Sequence, residues 1–260
     1  MLRALSLGSG SKGNCLLISA GDEAIAVDAG FSCRELFRRM ENHHFDPEKL
    51  RAIVLTHEHN DHYCGCRVTA KKLGIPVYMS YGTYDFISKH YQAPEKVVLF
   101  HTGDSFQIGK FKIDSFPVSH DAADPAGFVV ANGDLRFGIA TDLGIFTGDV
   151  EKMLCDCNAI MLESNYDRQM LEHSDRRLEL KRRIFSRIGH LGNLDTAAAL
   201  PRIVGASTRF VMLAHVSEEC NDTDIIRQDV ESILRRHCGE KVVCDILSQN
   251  DENICREIGE

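Results

Sequence analysis

The sequence predicts an α/β protein. Short, β-rich apolar runs alternate with stretches of helical spacing along the whole chain, and several of those apolar runs end directly in His or Asp. The chain has 260 residues, 43% apolar and 26% charged, which is an ordinary globular balance with enough length for a sizeable core. No Pro- or Ser-rich linker, repeat or low-complexity tract interrupts it, so residues 1–260 are expected to form one domain.

Leu2–Leu7, Asn14–Ser19 and Ala24–Asp28 read as strands separated by Gly-Ser and Gly-Asp turns. Arg34–Asn42 has helical spacing, with Leu36, Phe37 and Met40 on one side. Arg51–Leu55 is a buried strand that runs straight into Thr56-His57-Glu58-His59-Asn60-Asp61-His62. A helix is expected over Cys64–Leu73, a strand at Pro76–Met79 and a helix at Thr83–Tyr91. Strands return at Val97–Phe100, Phe106–Ile108, Lys112–Val118, Gly127–Val130 and Arg136–Ala140. The last third holds strands at Ala159–Glu163 and Phe210–Ala214, with helices near Arg177–Ile188 and Thr196–Val204. A helix at Asp222–His237, striped by Ile225, Ile226, Val230, Ile233 and Leu234, precedes a closing strand at Lys241–Asp245.

The formal net charge of −8 argues against a surface uniformly coated for nucleic acid; a polyanion would need a local basic patch or bound metal. No stretch approaches the roughly 20 apolar residues of a membrane span. Met1–Leu7 is too short, and too soon interrupted by glycine, for an export signal. A cytoplasmic protein is therefore expected, its ten cysteines reduced and behaving as small buried apolar residues. The pairs Cys64/Cys66 and Cys155/Cys157 are spaced too tightly for the usual structural zinc knuckle.

Gly8-Ser9-Gly10-Ser11-Lys12-Gly13 matches a dinucleotide-binding signature, but that motif needs a helix to begin at its last glycine. Here Asn14–Ser19 prefers a strand, and Asn14 stands where a phosphate-binding loop would need Lys. A glycine-rich turn between strands is the reading, free to line a nearby active site.

His57, His59, Asp61 and His62 form the most informative stretch. Residues two apart in extended chain point the same way, so His57 and His59 converge on one ion. Asp61 and His62 follow the turn and face a second ion. Imidazole and carboxylate are the ligands expected of zinc or manganese hydrolytic sites. His120, Asp142 and His215 each follow a separate hydrophobic strand. Together these residues describe an open binuclear site on a rigid sheet scaffold.

With Val27-Asp28-Ala29-Gly30, Thr56–His62, His120, Thr141-Asp142 and His215 in that order, the sequence resembles the metallo-β-lactamase-fold hydrolases. It is most similar to the YycJ/WalJ-type family, through Leu7–Asn14, Asp28–Cys33, Leu162–Asn165, Gly189–Asn193 and Ala214–Glu219. The resemblance implies an αββα sandwich with a binuclear metal site at the C-terminal edge of its strands. His57, His59 and His120 would hold one ion, Asp61, His62 and His215 the other, and Asp142 would bridge them. Asp28 would fix ligand geometry by hydrogen bonds. Two divalent ions are implied, zinc or manganese, with a mixed pair or iron as alternatives.

Two metals about 3.5–4 Å apart deprotonate a shared water and neutralise a phosphate in the transition state. Arg176–Arg187 carries six basic residues against Glu179 alone, in a chain of opposite net charge. Leu180, Ile184 and Ile188 recur at helical spacing, so one face should pack with the arginines opposite. This segment leads into Gly189-His190-Leu191-Gly192-Asn193. His190 is read as a phosphate contact or as the proton donor to the leaving oxygen, beside catalytic Asp61 and Asp142. Ser9, Asn14, Asn193 and Arg183 are candidate supporting or substrate-contacting residues. The remaining histidines, His43, His44, His90, His101, His173 and His237, are read as surface.

Tyr166 and Gly192 depart from the family pattern, in which a His and a Ser are expected there. The chain has no room for the large inserted domain of longer RNA-processing nucleases with this fold. By resemblance the first functional reading is a phosphodiesterase acting on DNA ends as a 5′→3′ exonuclease. The alternative is hydrolysis of a small cyclic phosphate, thioester or lactone. A β-lactamase is disfavoured, since those enzymes commonly have Cys where Asp142 stands. A non-enzymatic partner protein is disfavoured by the full set of ligand candidates. Oligomeric state is left open.

Overall fold

The computed structural model describes residues 1–250 and 254–259. Its described strands form two seven-stranded sheets. The first contains β1 (Leu2–Gly8), β2 (Cys15–Ala20), β3 (Glu23–Val27), β4 (Leu50–Val54), β5 (Val77–Ser80) and β6 (Val97–Phe100). The second contains β7 (Ser105–Ile108), β8 (Phe111–Pro117), β9 (Ala126–Asn132), β10 (Leu135–Ala140), β11 (Ala159–Glu163), β12 (Phe210–Ala214) and β13 (Val243–Ile246). A late strand, β14 (Cys255–Ile258), returns to pair antiparallel with β1, giving the order β14-β1-β2-β3-β4-β5-β6. The second sheet runs β13-β12-β11-β10-β9-β8-β7.

Each sheet is antiparallel in its hairpin-connected half and parallel in the other. In the parallel halves, β3 to β6 and β10 to β13, every strand aims its C-terminus the same way. Loops after parallel strands therefore collect along one edge, where ligand sites of α/β sheets form.

The helices are α1 (Cys33–Asn42), α2 (Asn60–Tyr63), α3 (Cys66–Leu73), α4 (Tyr81–His90), α5 (Gly148–Leu154), α6 (Arg168–His173), α7 (Leu178–Ile184), α8 (Asn193–Ile203), α9 (Thr223–Ile226) and α10 (Ser232–Cys238). A π-helical turn, Arg227–Glu231, joins α9 to α10 within the stretch expected as one helix. Strand alternation explains the layering. Leu16, Ile18, Ile25 and Val27 meet Phe111, Ile113, Phe128 and Phe137 between the sheets. Leu17, Ala24 and Ala26 face outward onto Leu36 and Met40 of α1, Ala70 of α3 and Ile87 of α4. On the far side Val129, Ile160, Leu162, Val211 and Leu213 face Val150 and Leu154 of α5, Leu200 of α8 and Leu234 of α10. The layer order is αββα, as the resemblance implies.

Most expected elements lie within a few residues of their observed bounds; α2, α5, α6 and β14 had no counterpart in the sequence reading. One expectation fails on packing. The helix expected over Arg177–Ile188 stops at Ile184, and of its supposed buried stripe only Ile184 is buried, Leu180 and Ile188 being 37% and 49% exposed. The chain folds back onto the helix end, where His190 donates its backbone N–H to Ile184 O. A Cβ on Gly189 would sit 2.2 Å from Arg183 O, so this approach requires glycine. Helical spacing has no meaning beyond that reversal. The cysteine expectation also needs correction: Cys66 and Cys157 are buried, but Cys64 and Cys155 are exposed.

Among the described residues no helix is long and apolar enough to cross a membrane.

Candidate metal centre

Loops at the C-terminal ends of β4, β8, β10 and β12 bring His57, His59, Asp61, His62, His120, Asp142 and His215 together. His59 Nδ1 lies 3.0 Å from His57 Nε2 and 3.2 Å from His120 Nε2, which makes one three-imidazole set. Asp61 Oδ2 lies 3.6 Å from His62 Nε2 and 3.7 Å from His215 Nε2, which makes a second set. Asp142 stands between them, with Oδ2 3.3 Å from His62 Nε2 and Oδ1 3.9 Å from His120 Nε2.

The donor chemistry fits divalent ions. Asp142 Oδ2 and His215 Nε2 are buried and have no hydrogen-bond partner among the described residues. Buried polar atoms are almost always paired, so two orphans aimed at one centre call for an ion. Burial, together with the neighbouring His62, depresses the basicity of His57. Burial lowers that of His120 as well. Neutral imidazoles of this kind are good ligands. His215 behaves oppositely: burial opposes its charge, yet the charge of Asp142, the nearby Asp61 carboxylate and the bond to Glu163 push it up to about 10.

Supporting contacts fix the rings. Asp28 Oδ2 lies 2.7 Å from His62 Nδ1, and the same carboxylate accepts Thr56 N–H and Oγ1–H. His120 places Nδ1 3.0 Å from Gly189 O, leaving Nε2 to the centre. Asp28, Asp142 and His215 hold positive φ angles of 62°, 56° and 53°. Such a conformation costs a non-glycine residue about 1–3 kcal/mol, and here it turns each side chain off its strand into the centre.

The glycine-rich turn does line this centre. No helix begins at Gly13; β2 begins at Cys15. Ser9 Oγ accepts the backbone N–H of His215 at 2.8 Å. Asn14 Nδ2 lies 3.0 Å from His62 Nε2 and 3.4 Å from Asp61 Oδ2. Asn193 goes elsewhere: its amide is bonded to Ser164 and Asn221 under the N-terminus of α8.

His190 is half-buried, its ring centroid 5.3 Å from that of His120 and 5.0 Å from that of His215. Its Nδ1 lies 2.8 Å from Glu163 Oε1. Glu163 is the residue the sequence reading missed. Fully buried, it also reaches His215 Nδ1 at 2.9 Å and accepts the backbone N–H groups of Leu143 and Leu191. The signal was available, since Glu163 ends an apolar strand as Ala140 and Ala214 do just before Asp142 and His215.

Arg183 reaches the edge of the centre by forking onto Asp121, through Nε to Oδ2 and through Nη2 to Oδ1 at 2.9 Å. Among the described residues the four paired cysteines enter no cluster able to hold a metal.

The αββα layers and the ligand-rich loops define a metal-dependent hydrolase, and the chain belongs to the beta-lactamase superfamily, whose domain model matches residues 23–216. It is 32% identical to the exodeoxyribonuclease YycJ of Bacillus anthracis over 231 residues, covering 88% of this chain and 87% of that one. It is 33% identical to the exodeoxyribonuclease WalJ of Streptococcus pneumoniae, covering 83% and 81% of the two chains. A solved structure, the metallo-β-lactamase-fold protein YhfI of Bacillus subtilis, superposes with a TM-score of 0.75 at 16% identity, over 99% of this chain and all of that one. That likeness speaks for the fold.

Proposed function

We propose that this protein is a phosphodiesterase that removes nucleotides from DNA ends in the 5′→3′ direction. The observation that carries the reading is the Glu163–His190 pair placed against a bed of metal-ligand residues, beside arginines at the mouth of the centre. The exodeoxyribonuclease relatives support the substrate class.

In this reading His57, His59 and His120 hold one ion, Asp61, His62 and His215 the other, and Asp142 lies between. Zinc or manganese suits such a mixture of imidazole and carboxylate. When bound, the ions supply Lewis acidity toward a phosphate and a water made nucleophilic at neutral pH. Asp142, held rigid by its strand-end turn, keeps the two donor sets in register. Glu163 fixes the His190 ring through Nδ1 and leaves Nε2 to give a proton to the leaving oxygen or bind phosphate. Arg183, oriented by Asp121, meets the phosphate with the rest of its fork. A cytoplasmic setting belongs to this reading, and the free thiols suit it.

The test is turnover of 5′-labelled DNA, a generic phosphodiester, a thioester and a β-lactam, each with and without chelator. Chelator-sensitive DNA degradation that is lost in Asp142→Asn and His190→Ala is expected. Thioester turnover with inert DNA would overturn the proposal.

A further inference from the structure

We propose that the pocket between α7 and the Gly8–Asn14 turn is a second phosphate subsite, which holds the phosphate next to the one being cleaved. This rests on the phosphodiesterase reading and narrows it: a substrate that fills both sites carries at least two phosphates and is a strand.

The pocket is about 170 Å³ and opens beside His190 and His215. Ser11, Arg176, Arg183 and Ser217 form its polar walls, with Leu180 on the apolar side. No carboxylate lines it among the described residues. A larger cavity of about 640 Å³ also borders the His215 loop, but Glu218, Asp222, Glu231 and Asp245 line it against Arg227. Charge therefore sends an anionic strand into the smaller pocket. Size agrees, because sites for whole small molecules run to about 300–1,000 Å³ and this one suits a phosphate with part of its sugar.

The two arginines are built in. Arg183 is forked onto Asp121, whose backbone N–H is bonded to Ile188 O. Arg176 donates through Nε to Glu219 at 3.0 Å and through Nη2 to Ser217 Oγ at 3.5 Å. Each pairing reduces the net charge but holds a planar fork in one orientation, so little rotamer freedom remains to be lost when phosphate binds. Leu180, 37% exposed and lining the pocket, covers the sugar.

The experiment compares the manganese-loaded protein with Arg176→Gln and Arg176→Lys on two kinds of substrate. One is bis(p-nitrophenyl) phosphate, which carries a single phosphate. The other is a set of dinucleotides with a 5′-phosphate, a 3′-phosphate or neither, so that only the first two carry a phosphate beside the scissile one. Loss of a charge-assisted contact is expected to raise KM for the dinucleotides with a terminal phosphate roughly ten-fold more than for the single diester. The lysine variant should recover part of that difference, and the preferred terminus assigns strand direction. An equal change on both substrates, or none on either, overturns the subsite while wild-type DNA cleavage leaves the proposed function standing. If wild-type protein leaves the strand intact, the proposed function has failed. Fluorescence anisotropy of the same dinucleotides, carrying a fluorescent label, then decides the subsite, and equal affinity with and without a terminal phosphate overturns it.

Discussion

His190 and His215 share one oxygen: the Nδ1 atoms of both rings lie within 2.9 Å of Glu163 Oε1. One buried carboxylate therefore sets the ring orientation of a proposed proton donor and of a proposed metal ligand.

Glu163→Gln should affect both. Its amide cannot accept N–H from two imidazoles while also serving the backbone N–H groups of Leu143 and Leu191. A fall in kcat of roughly 10²–10⁴ is expected, together with weaker binding of one of two metal equivalents. His190→Ala should lower kcat alone. Metal stoichiometry by calorimetry separates the two, and full retention of both metals in Glu163→Gln would deny the carboxylate its double role.

Metal binding should release protons. Against the cost of burial, the charge of Asp142, the nearby Asp61 carboxylate and the bond to Glu163 push His215 up to about 10, and Asp142 with Asp28 likewise raises His62. An ion must displace these protons, so affinity strengthens as pH rises from 6 toward 9. In chelator-stripped protein the sign is opposite for folding. A raised histidine contributes stability that is present below its unfolded value near 6.5 and lost as pH rises through about 10. Calorimetry at pH 7 in two buffers of different ionisation enthalpy measures the protons released; a heat independent of buffer would contradict this.

The two departures from the family pattern are one structural fact. Tyr166 and Gly192 pair as an isolated bridge, and a Cβ on Gly192 would lie 2.9 Å from the Tyr166 ring. The ring fills the space a serine side chain would need, packed edge-on against Phe185 at 5.1 Å. Gly192→Ser alone should lower Tm, since overpacking costs about 1–3 kcal/mol. Combined with Tyr166→His it should cost less than the sum of the two single changes. Thermal unfolding of all four proteins closes the cycle, and simple additivity would show that the residues are independent.

The strand ends were legible where an apolar run closes on His or Asp in company with the His57–His62 cluster. His57, His59, Asp61 and His62 are also adjacent in sequence, so spacing alone groups them. Glu163 escaped because a lone carboxylate closing a strand looks like solvated polarity until β10 and β12 are seen on either side of it. The positive φ of Asp28, Asp142 and His215 was invisible for another reason: it is imposed by packing against local preference. The α7 stripe misled because periodicity describes a helix but says nothing about where tertiary packing ends one.

Outside the ligand set, Glu35 should govern acid stability at the base of the glycine-rich turn. Bonds from Arg38, and then Arg39, hold its carboxyl down at about 2. Arg39 is itself buried, stacked 4.0 Å over Phe31 and donating to Leu7 O and Gln249 O, so Glu35 anchors the guanidinium that braces the turn. A depressed carboxylate contributes stability that is present above its unfolded value, near 4.5, and lost as pH falls through about 2. Glu35 is partly exposed, so solvent screening keeps the effect modest. Glu35→Gln should therefore lower Tm at pH 7, with the gap to wild type closing as pH is lowered below 4.5 toward 2. Parallel melting curves across that window measure it, and a gap that stays constant with pH would mean the pair contributes packing but no charge.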